Sequence, residues 1–401
     1  MPHIAIIGAG QAGAALAAKL RAEGFAGAIT IFGEEPAPPY QRPPLSKKYL
    51  LGQMDRARLF LRPASFYADH NITLETSARV IAIDAAAKTL TLQDGGVIAW
   101  DKLAITTGTR PRMLPDAIGG ALPGALALRT LADVDALAPL AQPGKTALIV
   151  GGGYIGLEAA AVLRGLALNV TLLEAAPRIL QRVAAPETSA YYRALHTSHG
   201  VDLREGSPLT RLTGDAHVTG ADLADGTHVA ADFALIGIGV HANTELAGAA
   251  GLALDNGIAV DAACRTSHPD IVSAGDCASF PWRGRRIRLE SVQNAIDQAE
   301  AAAETLLGRD VTYDPTPWFW SDQYDVKLQI AGLSTGHDRI ITRFGARPGA
   351  QSVWYFRGRD LLAVDAMNDP RSYMTAKRWL EAGHSPDPDA LAAPDADLKT
   401  L

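Results

Sequence analysis

The stretch Ile4-Ala5-Ile6-Ile7-Gly8-Ala9-Gly10-Gln11-Ala12-Gly13, with the Ala-rich run from Ala14 to Arg21 behind it, decides the fold. Four apolar residues in a row predict a buried strand, the alanine run predicts a helix, and the glycines between them predict a tight turn. Glycine here lets the backbone approach a pyrophosphate, which rests on the amides at the helix start. The next apolar run, Ala28 to Phe32, leads to Glu34 and Glu35. They lie about 20 residues past the turn, where a carboxylate accepts hydrogen bonds from a ribose hydroxyl. Strand, turn, helix and acid in that order predict a dinucleotide site built on Gly8, Gly10, Ala12 and Gly13.

The unit occurs twice. Ala147 to Val150 leads into Gly151-Gly152-Gly153-Tyr154-Ile155-Gly156, then Leu157 to Leu166 and Asn169 to Leu173, which delivers Glu174. Gly151, Gly153, Tyr154, Ile155 and Gly156 would line this second site. Glutamate at position 174 suits a free 2′-hydroxyl and repels a 2′-phosphate, so NADH is expected over NADPH, although Arg178 just downstream leaves the preference open. A repeat of such long period points to two nucleotide-binding domains, one inserted in the other, rather than to a solenoid. Two sites on one chain imply two dinucleotides, one tightly held and one exchanged.

Composition narrows the classes. With 401 residues, 48% of them hydrophobic and 20% charged, the chain has ample material for a core and is not globally disordered. A net charge of −6 argues against nucleic-acid and membrane-surface partners. The two cysteines, Cys264 and Cys277, cannot build a disulfide scaffold, a four-cysteine metal centre or an iron–sulfur cluster, and no metal site is expected. Met1-Pro2-His3 passes straight into an apolar run, and no stretch reaches the roughly 18 uninterrupted apolar residues of a membrane helix. A cytoplasmic protein with no membrane segment is the expectation.

A third element is Ile271-Val272-Ser273-Ala274-Gly275-Asp276, a short apolar run that brings an aspartate to a strand end. There it can hydrogen-bond a polyol chain. Ser291 to Leu307 reads as a helix with Ser291 as N-cap and Gly308 past its end. A helix N-terminus favours a nearby anion by about 1 kcal/mol. A reduced flavin is anionic at its N1–C2=O edge, so this helix start would stabilise it. Beyond the Pro-bearing segment Asp310 to Pro317, alternating strands such as Val326, Leu328 and Ile330 and a helix over Tyr373 to Glu381 predict a small α+β domain.

The segment Glu34-Glu35-Pro36-Ala37-Pro38-Pro39-Tyr40-Gln41-Arg42-Pro43-Pro44-Leu45-Ser46-Lys47 resembles the FAD-side signature of NADH-dependent ferredoxin reductases that serve bacterial oxygenases. Glu290-Ser291-Val292-Gln293-Asn294 and Pro317-Trp318-Phe319-Trp320-Ser321-Asp322-Gln323 are similar to the same family. Rubredoxin reductases and apoptosis-inducing-factor proteins are its relatives. The resemblance implies an α/β, glutathione-reductase-like fold: two Rossmann-type domains and a small C-terminal α+β domain. It places an FAD domain at residues 1–108 and 244–312, an NAD domain at 109–243 and the C-terminal domain at 313–401. It further implies non-covalently bound FAD touching Glu34 or Glu35, Arg42, Lys47, Val80, Thr107, Gly108, Arg129, Gly275, Asp276, Ser291, Val292 and Trp320. NADH would take the second turn with Glu158, Glu174, Arg178 and Gly239. Lys47 and Glu158 would pair beside the flavin N5, where Lys47 stabilises negative charge arriving with a hydride. The family usually has a proline before the asparagine after its Gly-Ile-Gly run, and this chain has Ala242 before Asn243.

Flavoprotein disulfide reductases share the two-nucleotide plan but need a cysteine in the helix that here corresponds to Arg42 to Lys48, and that region has none. Cys264 and Cys277 read as small core residues. Electrons would then leave the flavin directly, to a [2Fe-2S] ferredoxin feeding a P450 or ring-hydroxylating oxygenase. The run Arg283, Arg285, Arg286 and Arg288 is a candidate docking patch for such an acidic carrier. A reductase of a small molecule, quinone or rubredoxin, and a redox-gated interaction protein, are the alternatives. A monomer or weak homodimer is expected.

Overall fold

The computed structural model describes residues 1–393 and 396–401. They form two compact units. The first comprises residues 1–41, 55–110 and 240–315, and the second residues 42–54, 111–239 and 316–401.

The first unit is built on a parallel sheet in the order Ile271–Ser273, Lys102–Ile105, His3–Ile7, Ala28–Phe32 and Ile72–Glu75. Its strands are short and largely apolar, as a sheet covered on both faces requires. Ile6 lies in register with Ala104 on one side and Ile31 on the other, and all three are fully buried. The helix Gln11–Ala22 follows the central strand and packs on the helix Val292–Leu306. Alanines at 12, 14 and 17 on the first and 295, 299, 302 and 303 on the second are buried; methyl-sized side chains let the two backbones come close. Lys19 ties the pair together at the outer end, 2.6 Å from Glu23 and 2.9 Å from Glu304. A three-stranded antiparallel sheet, Val80–Asp84, Thr89–Leu92 and Val97–Ala99, completes the unit.

The second unit repeats this plan. Its parallel sheet runs Asp202–Arg204, Asn169–Leu173, Thr146–Val150, Phe233–Ile236 and Ala125–Leu126, again with the strand that enters the glycine turn flanked on both sides. It too carries a three-stranded antiparallel sheet, Leu209–Thr213, Gly220–Leu223 and His228–Ala230. Its C-terminal part is a five-stranded antiparallel sheet in the order Trp318–Gln323, Val326–Gly332, Asp360–Met367, Gln351–Arg357 and Arg339–Phe344, covered by the helix Pro370–Glu381. That helix starts where it does because the Asp369 carboxylate accepts from the Ser372 amide at 3.1 Å and proline occupies the first turn. The helix Pro186–Ser198 is anchored to the C-terminal sheet by a buried carboxylate, Asp365, which accepts from Thr188 Oγ1 at 2.8 Å and from the Tyr355 hydroxyl. Burial pushes the Asp365 carboxyl up to about 6. Among the described residues no helix is long and apolar enough to cross a membrane.

The elements agree with the sequence reading to within a few residues: the strands Ala28–Phe32 and Asn169–Leu173, the Ser291 cap and the final helix all appear. The segment 310–317 has no regular secondary structure but is tied down. Tyr313 is buried with its hydroxyl donating to Asn294 Oδ1 at 3.0 Å, and the Trp282 indole donates to the Pro315 carbonyl at 2.9 Å.

Candidate functional site: two glycine cradles and a buried ion pair

Both parallel sheets deliver their central strand into a glycine turn of the same geometry. Gly8 and Gly151 sit at φ +115° and +111°, and a Cβ there would lie 2.3 Å from the Thr106 carbonyl oxygen or 2.4 Å from that of Gly237. Gly13 and Gly156 press against the turn behind them: a Cβ would lie 2.0 Å from the Gly8 oxygen and 2.1 Å from the Gly151 oxygen. At Gly10 and Gly153 a Cβ would meet nothing within 4 Å. These two residues are N-caps with no side-chain cap, so neither helix has a side chain over its first amides. The outer glycines hold the loop tight while the middle one leaves an open face over unclaimed N–H groups. That donor set fits a pyrophosphate, and it occurs once in each unit.

The acids beyond the turns differ. Glu174 faces its own turn: Oε2 accepts from the Gly152 amide at 2.7 Å and Oε1 from the Ala176 amide at 2.8 Å. A carboxylate fixed at that edge presents negative charge to whatever lies on the turn. Arg178 is directed elsewhere, donating to Ser189 Oγ at 2.6 Å. In the first unit Glu35 Oε2 accepts from the Tyr40 hydroxyl at 2.5 Å, and Glu34 is exposed and 3.9 Å from Arg79.

The remaining residues expected to touch FAD fall in both units. In the first, Gly275 packs beside Ala12, where a Cβ would come within 3.1 Å of the alanine methyl, and its amide donates to Gln298 Oε1 at 2.8 Å. Asp276 Oδ2 accepts from Thr109 at 3.2 Å. Thr107 and Gly108 are held by Asn243, whose side-chain amide donates to the Thr107 carbonyl at 2.8 Å and whose backbone amide donates to the Gly108 carbonyl at 2.9 Å. Ser291 caps the helix that starts at Val292, accepting from the Asn294 amide at 3.1 Å. Val80 is buried in the unit's core. Arg42, Lys47, Arg129 and Trp320 belong to the second unit. There Arg42 donates to the Arg129 carbonyl at 2.8 Å, and the Trp320 ring lies 5.6 Å from that of Trp318.

Lys47 and Glu158 do meet. Pro44 precedes a short wide helical turn, Leu45–Tyr49, that packs on the helix Tyr154–Gly165 and brings Lys47 Nζ within 3.0 Å of Glu158 Oε1. The carboxylate is buried, with 4% of its surface exposed. Burial pushes Glu158 above the usual carboxylate range; the Lys47 ammonium pulls it back, then a hydrogen bond from Ser321 Oγ to Oε1 at 2.7 Å. Ser46 Oγ approaches Oε2 at 3.4 Å. Beside the pair, the Tyr154 ring lies 5.0 Å from that of Phe319, tilted against it, and burial raises its phenol well above its ordinary value. Ile155 is half-exposed, and Gly239 turns the chain so that its carbonyl accepts from the Arg112 amide at 2.9 Å. Sequence reasoning gave no role to Ser46, Ser321 and Gln323, which it met only inside the family-like runs, and did not single out His196. A period-two reading of Phe319, Ser321 and Gln323 places two polar residues on the inward face of a strand, and that was the available signal.

Both cysteines are fully buried, and burial pushes the Cys264 thiol up to about 12. Neither sulfur is open to an incoming thiol or disulfide. The arginine run is split by its hairpin. Arg286 remains exposed but its guanidinium is tied to the carbonyls of Val260 at 2.9 Å and Ser279 at 2.6 Å, and Arg288 donates to the Asp276 carbonyl at 3.0 Å and pairs with Glu290 at 2.8 Å. Arg283 and Arg285 stay exposed, with their guanidiniums 4.7 and 5.4 Å from the Trp282 ring centre.

Residues 2–299 match the family model described as pyridine nucleotide-disulphide oxidoreductase, and residues 318–401 match reductase C-terminal. Rhodocoxin reductase of Rhodococcus erythropolis is 42% identical, over 99% of this chain and 93% of its own. The 5,5′-dehydrodivanillate O-demethylase ferredoxin reductase subunit of a Sphingobium species is 42% identical, over 100% of this chain and 99% of its own. Among solved structures, the covalent putidaredoxin reductase–putidaredoxin complex matches with a TM-score of 0.95 at 40% identity, covering 99% of this chain and 97% of that one. With two like-built glycine cradles, an intact C-terminal sheet and relatives this similar along their whole length, the chain belongs to the pyridine nucleotide-disulphide oxidoreductases, in the branch that carries the reductase C-terminal domain.

Proposed function

We propose that this protein is an NADH:ferredoxin reductase, with FAD held by the cradle of Gly8 to Gly13 and NADH exchanged on the cradle of Gly151 to Gly156. The observation that carries this reading is the duplicated cradle on a chain whose two thiols are buried. FAD held on the first cradle would supply hydride acceptance and single-electron release, which suits a one-electron [2Fe-2S] carrier. The names of the relatives support it, since they are reductases of rhodocoxin, of putidaredoxin and of an O-demethylase system. The carrier would feed a P450 or ring-hydroxylating oxygenase.

The chain's own residues have distinct tasks. Outer glycines fix each turn; the open amides at the helix starts bind the pyrophosphates. Glu35 and Glu174 accept from ribose hydroxyls, and Glu174 excludes a 2′-phosphate by like charge. Thr107, Gly108, Gly275, Asp276, Ser291, Val292, Val80, Arg42, Arg129 and Trp320 would complete the FAD shell. Lys47, held by Glu158, supplies a fixed positive charge from a desolvated site. Arg283 and Arg285, exposed on the hairpin, are the part of the arginine run left to meet an acidic carrier. A cytoplasmic monomer or weak homodimer with an FAD domain, an inserted NAD domain and a C-terminal domain is the organisation that accompanies this reading.

The test is steady-state reduction of a [2Fe-2S] ferredoxin by the purified holoprotein, with NADH and NADPH as alternative donors. Ferredoxin-dependent turnover with NADH, at least tenfold above that with NADPH in kcat/KM, is expected. Slow ferredoxin reduction with fast reduction of a quinone, or equal use of both donors, would overturn the reading.

A further inference from the structure

Glu158 is the end of a buried hydrogen-bond chain that neither the cradles nor the ion pair accounts for. Ser321 Oγ lies 2.7 Å from Glu158 Oε1, Gln323 Nε2 3.1 Å from Ser321 Oγ, and His196 Nε2 2.8 Å from Gln323 Oε1. Ser321 and His196 are fully buried and Gln323 is 1% exposed. At the far end, the Tyr324 hydroxyl lies 3.5 Å from His196 Nδ1, and the Tyr324 ring stacks on His199 at 3.7 Å. Ser321 and Gln323 share the inward face of the strand Trp318–Gln323, whereas His196 comes from the helix Pro186–Ser198.

Two arrangements run one way along the whole chain. In one, His196 donates from Nε2–H to Gln323 Oε1, the Gln323 amide donates to Ser321 Oγ, and Ser321 donates to Glu158. Glu158 then only accepts, which an ionised carboxylate does. In the other, every bond is reversed: Glu158 must carry a proton to donate to Ser321, the Gln323 amide is turned over, and His196 carries its proton on Nδ1. An amide with one donor end and one acceptor end ties the orientation of Gln323 to the His196 tautomer, and only the first arrangement leaves the Ser321 proton free for an ionised Glu158. The orientation of Gln323, Nε2 toward Ser321 and Oε1 toward His196, is that of the first arrangement. The Tyr324 hydroxyl, 3.5 Å from Nδ1, can donate to that nitrogen when the imidazole proton sits on Nε2. Burial pushes His196 down to about 4, so the imidazole is neutral and has one N–H to place.

We propose that Ser321, Gln323 and His196 are positioning residues that hold Glu158 ionised and aimed at Lys47 through a hydrogen-bond chain of fixed polarity. The inference rests on the proposed role of the Lys47–Glu158 pair. The other groups that face Glu158 are the Lys47 ammonium, the Asp322 carboxylate, which disfavours a second negative charge, and the Tyr192 phenol. His199 faces His196, and Arg164 faces Tyr324. The chain acts with Lys47 and against burial and Asp322.

The holoenzyme tests this without turnover. The carboxyl C=O stretch of Glu158, assigned by its loss in Glu158→Gln, is titrated by infrared spectroscopy. Ser321→Ala removes the donor, and Gln323→Glu, nearly isosteric, replaces the donating amide with an acceptor. Both are expected to move the Glu158 titration up by about one to two pH units, the effect of losing one hydrogen bond to a charged group. In the wild type, ¹⁵N NMR of the His196 ring is expected to show a neutral imidazole with its proton on Nε2. A proton on Nδ1, or a Glu158 titration unmoved in both variants, overturns the chain. If instead Glu158→Gln leaves hydride transfer from NADH at the wild-type rate, the role of the ion pair fails while the chain is judged by its spectra alone.

Discussion

Gly13→Val yields a protein that purifies without flavin. A Cβ at this position would lie 2.0 Å from the Gly8 carbonyl oxygen and 3.0 Å from Thr106 Oγ1, and neither can retreat. Gly8 is fixed by its amide, which donates to the Phe32 carbonyl at 2.8 Å, and Thr106 by its hydroxyl, 3.0 Å from the carbonyls of Ile7 and Gly8. The helix start must move outward, which takes its amides away from the pyrophosphate. Overpacking of this kind costs about 1–3 kcal/mol, and loss of the donor set adds to it. Flavin content per chain, read from the visible spectrum, is expected to fall at least tenfold. Gly10→Ala is the contrast: its Cβ meets nothing within 4 Å of protein, so the fold and its melting temperature should stand while flavin affinity drops. A yellow Gly13→Val protein with normal flavin content would show that the tight turn is not what binds the cofactor.

Lys47→Met slows hydride transfer from NADH by about a hundred- to thousandfold, as loss of one fixed charge at a reacting centre does elsewhere. It also strands a carboxylate. Glu158 is 4% exposed, and its only cationic partner is 3.0 Å away among the described residues. Removing one member of a buried pair costs about 3–5 kcal/mol unless the other is neutralised. Glu158 is already pushed up by burial, so without the Lys47 ammonium it takes a proton at a higher pH still. Activity that needs ionised Glu158 is lost as pH falls through its pKa, so the acid limb of the pH–rate profile moves to higher pH in Lys47→Met. Lys47→Arg keeps the charge and should lose far less. Rapid-mixing kinetics of the flavin absorbance check both; a wild-type rate and an unshifted acid limb in Lys47→Met would count against the role given to the pair.

The parts of the fold that were readable from the residues are those governed by local chemistry. Glycine at positions 8, 13, 151 and 156 has no substitute, because each Cβ would fall within 2.4 Å of a carbonyl oxygen, and apolar strands of a two-sided parallel sheet announce themselves. Ser291 before an Ala-rich run has the side chain that helix N-caps prefer. What stayed hidden depends on residues distant in the chain. His196 sits among polar helix residues, and nothing near it in sequence says that Gln323 will meet it. The arginine run reads as one patch, yet the register of Ala278–Trp282 with Arg285–Ile287 ties the Arg286 guanidinium to Val260 and Ser279. The Lys47–Glu158 pair came from family resemblance, since its two residues lie on separate helical segments and only packing joins them.

An anaerobic reductive titration of the holoprotein with NADH separates a thiol-free electron path from the disulfide-relay plan of the wider family. A flavin alone stores two electrons, so full bleaching at about one equivalent of NADH per FAD is expected, and Cys264→Ser together with Cys277→Ser should leave the endpoint unchanged. An endpoint near two equivalents that falls to one in the double variant would mean that sulfur takes part, and would contradict direct transfer from flavin to ferredoxin.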